Sequence, residues 1–245
     1  MTEVLYFLDC CIKEFEATVT NITDDKFVVL DRTAFYPGSG GQPSDTGKLI
    51  RKSDSAEFDV LYVDKFNGYI SHEIVSPDGN VSKGLKAGDN VKGIIDWDRR
   101  YMHMQMHTAT HVIANVIEKE AGAQITGNQL GIDQSRVDFS LEAFDRDKFT
   151  EYKKIANDLI VQNNPINFYL VSRKEAEEKL LRLITLAKGF SDKIKEVRMV
   201  EIKGVAIEAC GGTHVKNTNE LRGMKITKLQ NKGKNNRRMY FTFVE

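Results

Sequence analysis

The sequence of 245 residues has little sulfur and little imidazole, with only three cysteines and five histidines. Two of the cysteines, Cys10 and Cys11, are adjacent, so the three do not form a disulfide framework. No apolar run comes near the roughly 18 residues that a transmembrane helix needs, and the start, Met1 to Val4, lacks the features of a signal peptide. These absences predict a cytoplasmic protein without membrane contact, in which a cysteine thiolate is available to bind a metal.

Net charge is also absent, because 35 basic residues balance 35 acidic ones, and total charge therefore indicates no partner. A hydrophobic content of 41% is typical of an ordinary globular protein. The length allows one large domain or two modest ones, each with a proper core.

Residues 1–96 are rich in short β-branched and aromatic runs separated by turn residues, which predicts a small β-barrel. The dipeptide Asn67-Gly68 predicts a tight hairpin, Pro77–Asn80 predicts another turn, and a last strand is expected over 91–96. The clearest runs are Glu16–Thr20, Lys26–Leu30 and Phe58–Val63.

Residues 97–245 mix helical and strand patterns, which predicts an α+β domain after a boundary near 96. Its first helix should run from an N-cap at Asp98 to a stop at Gly122, with an apolar stripe that includes Met102, Met106 and Val116. Later helices are predicted from Asp145 to Asn163 and from a capping box at Ser172 and Glu175 toward Lys188. Strands are predicted at 136–139, 167–171, 197–202 and 205–209, and a terminal hairpin at 224–230 and 239–244.

Four potential metal ligands form two pairs with the same spacing, His107 with His111 and Cys210 with His214. On a helix, residues i and i+4 are about 40° apart in azimuth and about 6 Å apart along the axis, so both imidazoles can reach one ion. His103 lies one turn earlier, but over eight residues the azimuth drifts by about 80°. We therefore predict a neighbouring role for His103 rather than ligation.

A lone histidine on a helix is usually a half-buried packing residue, but a thiolate with three imidazoles matches tetrahedral zinc. Gly211 and Gly212, between Cys210 and His214, let the backbone approach the ion closely. Four protein ligands are common in structural zinc sites, whereas catalytic sites keep an open position. The spacing leaves both roles open.

These motifs resemble those of a known family. The segments His107–His111 and Ala209–Val215 resemble the editing domain of alanyl-tRNA synthetases and the free-standing AlaX proteins. Thr33–Gly47 resembles the glycine-rich loop of the longer AlaX members, and Val91–Trp97 resembles the approach to the HxxxH helix. The resemblance covers nearly the whole chain.

The resemblance implies a β-barrel joined to an α+β editing domain, with one zinc held by His107, His111, Cys210 and His214. It also implies a trans-editing hydrolase that deacylates tRNA(Ala) mischarged with serine, with glycine as a further candidate. Thr110 would lie near the substrate, and Thr126 and Gln129 are further candidates for screening the amino acid.

The glycine-rich loop, with Gly38, Gly40, Gly41 and Gln42, lacks the ending of a phosphate-binding P-loop. We therefore predict a loop near the editing site or the tRNA acceptor end rather than a nucleotide site. No ATP-binding fingerprint was identified, so the chain is expected to edit without charging tRNA.

Basic residues are concentrated near the end of the chain, where 222–238 holds no acidic residue. Such a run is usually solvated surface, but beside a zinc motif it favours RNA contact. Arg99 and Arg100, next to the HxxxH helix, are secondary candidates for tRNA binding. The basic residues of the run are Arg222, Lys225, Lys228, Lys232, Lys234, Arg237 and Arg238.

Three other functions remain open at this level. One is a zinc hydrolase acting on another small ester or amide, and the second is a zinc-stabilised RNA-binding module without hydrolase activity. The third is the related editing domain of threonyl-tRNA synthetases, although the glycine-rich loop favours the alanine branch. A homodimer is compatible with the sequence, which does not specify the oligomeric state.

Overall fold

The computed structural model describes residues 1–76, 84–179 and 195–244. The chain forms two compact units, Met1–His103 and Met104–Glu245. The predicted α+β class with an N-terminal β-barrel is confirmed. In the described ranges, no helix is long and apolar enough to cross a membrane.

The first unit is built around a closed barrel. Its strands are β2 (Glu14–Thr23), β3 (Phe27–Leu30), β5 (Gly47–Arg51), β6 (Glu57–Phe66), β7 (Tyr69–Val75) and β8 (Asn90–Ile95). They pair in the closed order β2–β3–β7–β6–β5–β8, with antiparallel neighbours. Two short strands, β1 (Glu3–Val4) and β4 (Arg32–Thr33), pair in parallel outside the barrel.

Alternation along β2 shows how the sequence fills this barrel. Phe15, Ala17 and Val19 are buried, while Glu14 and Glu16 are exposed, as expected for a strand with one face in the core. Phe15 pairs with Gly93 of β8, where a Cβ atom would overlap the phenyl ring. The glycine therefore makes room for the aromatic side chain that closes this part of the barrel.

The predicted hairpin is confirmed, since β6 and β7 are joined by Asn67 and Gly68 alone. Both have positive φ, 48° and 82°, as a two-residue type I′ turn requires.

In its described residues, the second unit contains two antiparallel sheets and most of a long helix. Its elements are α1 (Trp97–Ala121, which begins in the first unit), β9 (Ile125–Gln129), β10 (Ser135–Phe139), α2 (Arg146–Ile160), β11 (Ile166–Ser172), α3 (Arg173–Lys179), β12 (Glu196–Ile202), β13 (Ala206–Ala209), β14 (Met224–Asn231) and β15 (Arg237–Phe243). One sheet has the order β14–β15–β10–β9, and the other has the order β11–β12–β13.

The start of α1 differs from the prediction. The helix begins at Trp97, and Asp96 rather than Asp98 occupies the N-cap position. The Asp96 carboxylate accepts from the backbone N–H of Arg99 at 3.3 Å, which satisfies one of the free donors of the first turn. The predicted stop is confirmed, because Gly122 has a φ of +65° and its N–H donates to Glu118 O at 2.8 Å.

Helix α1 is buried on more than one side. Every residue from His103 to Ile113 is buried, including the polar Gln105, Thr108 and Thr110. The sequence predicted a single apolar stripe, but the burial of 103–113 includes polar residues on other faces, and a helix buried on several faces need not be amphipathic.

Most of the remaining elements agree with the predictions. Asp145 caps α2 through hydrogen bonds to two backbone N–H groups, although the helix ends at Ile160 rather than at Asn163. The backbone N–H of Glu175 donates to Ser172 Oγ at 3.1 Å, which is one of the two hydrogen bonds of the predicted capping box. Strand β9 was not predicted, and the expected turn at 77–80 and the extension of the last helix to Lys188 lie outside the described residues.

Candidate metal centre

The two predicted ligand pairs meet in the second unit. Helix α1 carries His107 and His111 one turn apart, and the loop after β13 carries Cys210 and His214. One ligand atom from each of the four side chains lies within 4.8 Å of all the others. The group could hold a metal ion, and segments a hundred residues apart in sequence contribute to it equally.

The spacing of the ligand atoms fits zinc. Cys210 Sγ lies 3.6 Å from His107 Nε2 and 3.4 Å from His214 Nε2. Zinc bonds of about 2.0 Å to nitrogen and about 2.3 Å to sulfur, arranged as a tetrahedron, require a sulfur–nitrogen separation of about 3.5 Å. The donor set and these two sulfur–nitrogen separations therefore suit tetrahedral zinc coordination.

The surroundings favour a thiolate at Cys210. Burial alone would raise the pKa of this thiol, but the imidazoles of His107, His111 and His214 hold it well below its usual value. The backbone N–H of Gly212 also points to Cys210 Sγ at 3.4 Å. Since the thiolate is the form that binds metals, the site is prepared for ligation.

Thr108 orients His214. Its hydroxyl oxygen lies 3.1 Å from His214 Nδ1 and also accepts from the backbone N–H of Val215 at 3.4 Å. Contact with Thr108 at Nδ1 leaves Nε2 of His214 facing the thiolate. Burial lowers the pKa of His214 well below its usual value, so this imidazole is neutral and able to bind a metal.

Glu208 lies beside His111. Its Oε2 atom is 3.2 Å from His111 Nδ1. Burial lowers the pKa of His111, but the negative charges of Glu208 and Cys210 more than offset this and raise it to about 9, so a metal ion that binds this imidazole would displace a proton. Glu208 is thus the acidic neighbour of the ligand group.

Arg198 of β12 holds the loop that carries the thiolate. Its Nη1 donates to the carbonyl oxygens of Cys210 at 2.7 Å and Gly212 at 2.8 Å, and its guanidinium lies 4.6 Å from the ring centroid of Phe168.

The sequence alone did not identify Arg198, Glu208 and Thr108 as residues of the site. The position of Thr108 within the HxxxH segment and that of Glu208 two residues before Cys210 were the available signals.

The other predicted site residues lie outside the ligand group. His103 is buried but does not belong to the ligand group. The Thr110 hydroxyl donates to Met106 O at 2.9 Å and is buried. Thr126 Oγ1 lies 3.4 Å from Asn236 Oδ1, and Gln129 Oε1 accepts from Arg136 Nε at 3.1 Å.

The glycine-rich loop is a tight turn. Ser39 and Gln42 exchange two backbone hydrogen bonds of 3.0 and 2.9 Å around Gly40 and Gly41, whose φ values of 57° and 83° suit a type I′ turn. A Cβ atom on Gly38 would approach Ser44 N to 3.4 Å, and the Gln42 side chain is buried. The glycines therefore serve the local geometry of the turn.

Arg100 is not a surface residue, so its prediction as a tRNA contact is wrong. It is fully buried and forms an ion pair with buried Asp45, and it also donates to the carbonyl oxygens of Cys10 and Ala34. Its neighbour Arg99 is half-buried, and its Nη2 donates to Ser44 O at 3.2 Å. Both guanidinium groups hold backbone segments of the first unit.

The basic hairpin of β14 and β15 contains two kinds of cation. Lys232 and Lys234 in its loop are exposed. Arg237 is buried and donates to carbonyl oxygens of Gly233 and Glu142, so the prediction that it binds tRNA is wrong.

Arg238 is also held within the sheet. It donates to both carboxylate oxygens of Asp138, at 2.7 and 2.8 Å. Much of its charge is compensated there.

Two family models match the sequence. The model described as "tRNA synthetases class II (A)" matches residues 3–99, and the model described as "Threonyl and Alanyl tRNA synthetase second additional domain" matches residues 197–240.

Individual relatives extend these matches over the whole chain. The alanyl-tRNA editing protein AlaX-M of Methanosarcina barkeri is 81% identical over 246 aligned residues, with 100% of both chains covered. The AlaX-M protein of Saccharolobus solfataricus is 40% identical over 243 residues, covering 99% of each chain. An alanine–tRNA ligase of Methanococcus maripaludis is 36% identical over 232 residues, which cover 94% of this chain and 24% of the ligase.

Proposed function

The chain belongs to the AlaX-M family of alanyl-tRNA editing proteins, and from this premise we propose that it is a trans-editing deacylase. It hydrolyses the ester that joins tRNA(Ala) to a non-cognate amino acid. The chain covers the AlaX-M relatives end to end, whereas it corresponds to about a quarter of the alanine–tRNA ligase. The barrel of residues 1–96 and an editing domain of residues 97–245 are the two parts of this proposed enzyme.

The convergence of His107, His111, Cys210 and His214 is the observation that carries the proposal. These residues hold one zinc ion. When bound, zinc supplies Lewis-acid polarisation of a carbonyl group or an activated water, which is the chemistry that ester hydrolysis requires. The chain's own contribution is to keep the thiolate and imidazoles in place through Thr108 and Arg198.

Serine is the principal non-cognate amino acid in this proposal, and glycine is a second. Serine differs from alanine by one hydroxyl group, and a site with a matched hydrogen-bond partner for that hydroxyl discriminates against the analogue that lacks it. Thr110, next to His111, is the first candidate partner, and Thr126 is the second.

The exposed lysines of the β14–β15 hairpin bind the phosphates of tRNA. Lys225, Lys228, Lys232 and Lys234 are all exposed, and no acidic residue occurs between 222 and 238. Contacts of this kind add sequence-independent affinity that falls with salt.

The deciding experiment measures deacylation of seryl-, glycyl- and alanyl-tRNA(Ala) by the purified protein, before and after removal of zinc by a chelator and after zinc is added back. We expect hydrolysis of the seryl ester, sparing of the alanyl ester, and loss of activity that zinc restores. Seryl-tRNA(Thr) is the matched control, because its hydrolysis at an equal rate would favour the threonine branch of editing domains.

Two other outcomes would contradict this function. Hydrolysis of small free aminoacyl esters as fast as of aminoacyl-tRNA would indicate a general zinc esterase. Binding of tRNA(Ala) without hydrolysis of any ester would indicate an RNA-binding module with a structural zinc, the role for which closed four-ligand sites are best known.

A further inference from the structure

Glu208 occupies a defined position relative to the ligand group. It is the penultimate residue of β13 (Ala206–Ala209), and Cys210 directly follows that strand. The register of β13 is fixed by its pairing with β12, in which Val200 faces Glu208 and Met199 faces Ala209. The backbone N–H of Cys210 continues this pairing by donating to Arg198 O at 3.2 Å.

The Glu208 carboxylate is directed at one ligand. Glu208 Oε2 is 3.2 Å from His111 Nδ1, and the side chain of His111 is only 8% exposed, against 30% for that of Glu208. The carboxylate thus connects the buried imidazole to the edge of the site.

A histidine that binds a metal through Nε2 must carry its proton on Nδ1, and an acceptor at Nδ1 selects that tautomer and fixes the plane of the ring. His214 has the hydroxyl oxygen of Thr108 at this position. His111 has a carboxylate, which is a stronger acceptor than a neutral hydroxyl.

We propose that Glu208 is a positioning residue of the metal centre. It holds His111 as the Nδ1–H tautomer, with Nε2 directed toward the ion, and it does not touch the substrate. This inference rests on the proposed zinc site and adds a residue that neither the motif spacing nor the ligand set includes.

Zinc affinity tests the inference directly. Three variants are compared with the wild-type chain by competition with a chromophoric chelator: Glu208→Ala, Glu208→Gln and the control Glu201→Ala. Glu201 is a suitable control because it lies on β12 opposite Ile207, the residue next to Glu208.

We expect Glu208→Ala to weaken zinc binding by about 10- to 100-fold, the usual effect of removing such a partner. Glu208→Gln keeps an oxygen acceptor and should recover most of the loss, while Glu201→Ala should bind zinc as the wild type does. An equal affinity for Glu208→Ala and Glu201→Ala would overturn the inference. So would a loss in Glu208→Gln as large as in Glu208→Ala, because charge rather than orientation would then be responsible.

A spectroscopic measurement separates orientation from folding. In the zinc-loaded wild-type protein labelled with ¹⁵N-histidine, His111 should show a slowly exchanging proton on Nδ1, and Glu208→Ala should exchange it faster. If the alanine variant does not fold, the wild-type spectrum and Glu208→Gln still decide, because a wild-type His111 without a proton on Nδ1 overturns the inference.

Failure of this inference about Glu208 can be distinguished from failure of the proposed function. Zinc titration and the histidine spectrum require no tRNA, so a protein with the expected affinities but no deacylase activity would contradict the function alone. A wild-type protein that deacylates tRNA and binds no zinc would overturn the role of Glu208 and leave the deacylase reaction standing.

Discussion

At the scale of single residues, Thr110 precedes the proposed metal ligand His111 in sequence, and its hydroxyl already forms a hydrogen bond. It donates its proton to Met106 O, so only the lone pairs of its oxygen are left to accept a hydrogen bond from a substrate hydroxyl. Thr110→Val keeps the shape of the side chain and removes the acceptor. We expect the ratio of kcat/KM for seryl- over alanyl-tRNA(Ala) to fall about tenfold, the value of one hydrogen bond.

Thr126→Val is the matched control for this substitution and also tests the second candidate. A selectivity ratio unchanged in Thr110→Val but lowered in Thr126→Val would transfer the role to Thr126. No change in either would remove both threonines from substrate discrimination.

His72 gives the barrel a dependence on pH. It is completely buried, with Thr33 Oγ1 at 2.9 Å from Nε2 and Val28 O at 2.9 Å from Nδ1, and burial lowers its pKa from 6.5 to about 4. The unfolded chain therefore takes up the proton first. The stability that neutral His72 contributes is fully present above pH 6.5. As the pH falls toward 4 it is lost, and the free energy of unfolding decreases by up to about 3 kcal/mol.

Urea unfolding of the wild type and His72→Gln between pH 4 and 7.5 measures this contribution. Glutamine does not titrate, so the difference in unfolding free energy between the two proteins should shrink below pH 6.5. A difference that stays constant over the whole range would contradict a neutral, buried His72.

At the scale of elements, the first turn of α1 tests the corrected N-cap. Asp96 accepts hydrogen bonds from the Arg99 N–H and, at 3.2 Å, from the Thr46 hydroxyl, whereas Asp98 is exposed within the helix. We expect Asp96→Ala to reduce the free energy of unfolding by at least about 1 kcal/mol. The control Asp98→Ala should lose only a few tenths through the helix dipole, and equal losses in urea unfolding would contradict the assignment of the cap.

The β14–β15 hairpin tests tRNA binding. Reversing Lys232 and Lys234 to Glu should raise the KM for seryl-tRNA(Ala) and make the slope of log affinity against log salt shallower by about two, one for each phosphate that the protein no longer neutralises. The reversal of Lys153 and Lys154 to Glu on α2 makes the same change of charge elsewhere. Equal tRNA affinity for the two double variants at low salt would remove the hairpin from the RNA interface.

At the scale of the whole molecule, the metal should stabilise one unit more than the other. All four ligands lie in the second unit, whereas the barrel core is built from residues of the first unit. On removal of zinc, we expect hydrogen exchange to accelerate in residues 104–117 and 198–215, because ligand binding stabilises the structure that holds the ligand. Strands β2 and β6 should keep their protection, and a uniform loss over both units would show that the metal supports the entire fold.

Local patterns determined much of what was predicted correctly. Asn67-Gly68 identified its hairpin because few residues adopt two successive positive φ values without strain. Asp145 and Gly122 marked helix ends because side-chain caps and left-handed turns depend on the residue itself. The spacing of His107 and His111 was informative for a similar reason, since helical geometry alone puts them on one face.

The sequence by itself therefore determined the α+β class, the barrel, and the identity of the four potential ligands. Only the tertiary structure decided which polar residues are committed to internal contacts: Arg100 with Asp45, Arg238 with Asp138, and Glu208 beside His111. A cation looks the same in a sequence whether it is solvated or buried against a carboxylate. For the two arginines the state depends on partners 55 and 100 positions away in the chain, and folding alone brings them together.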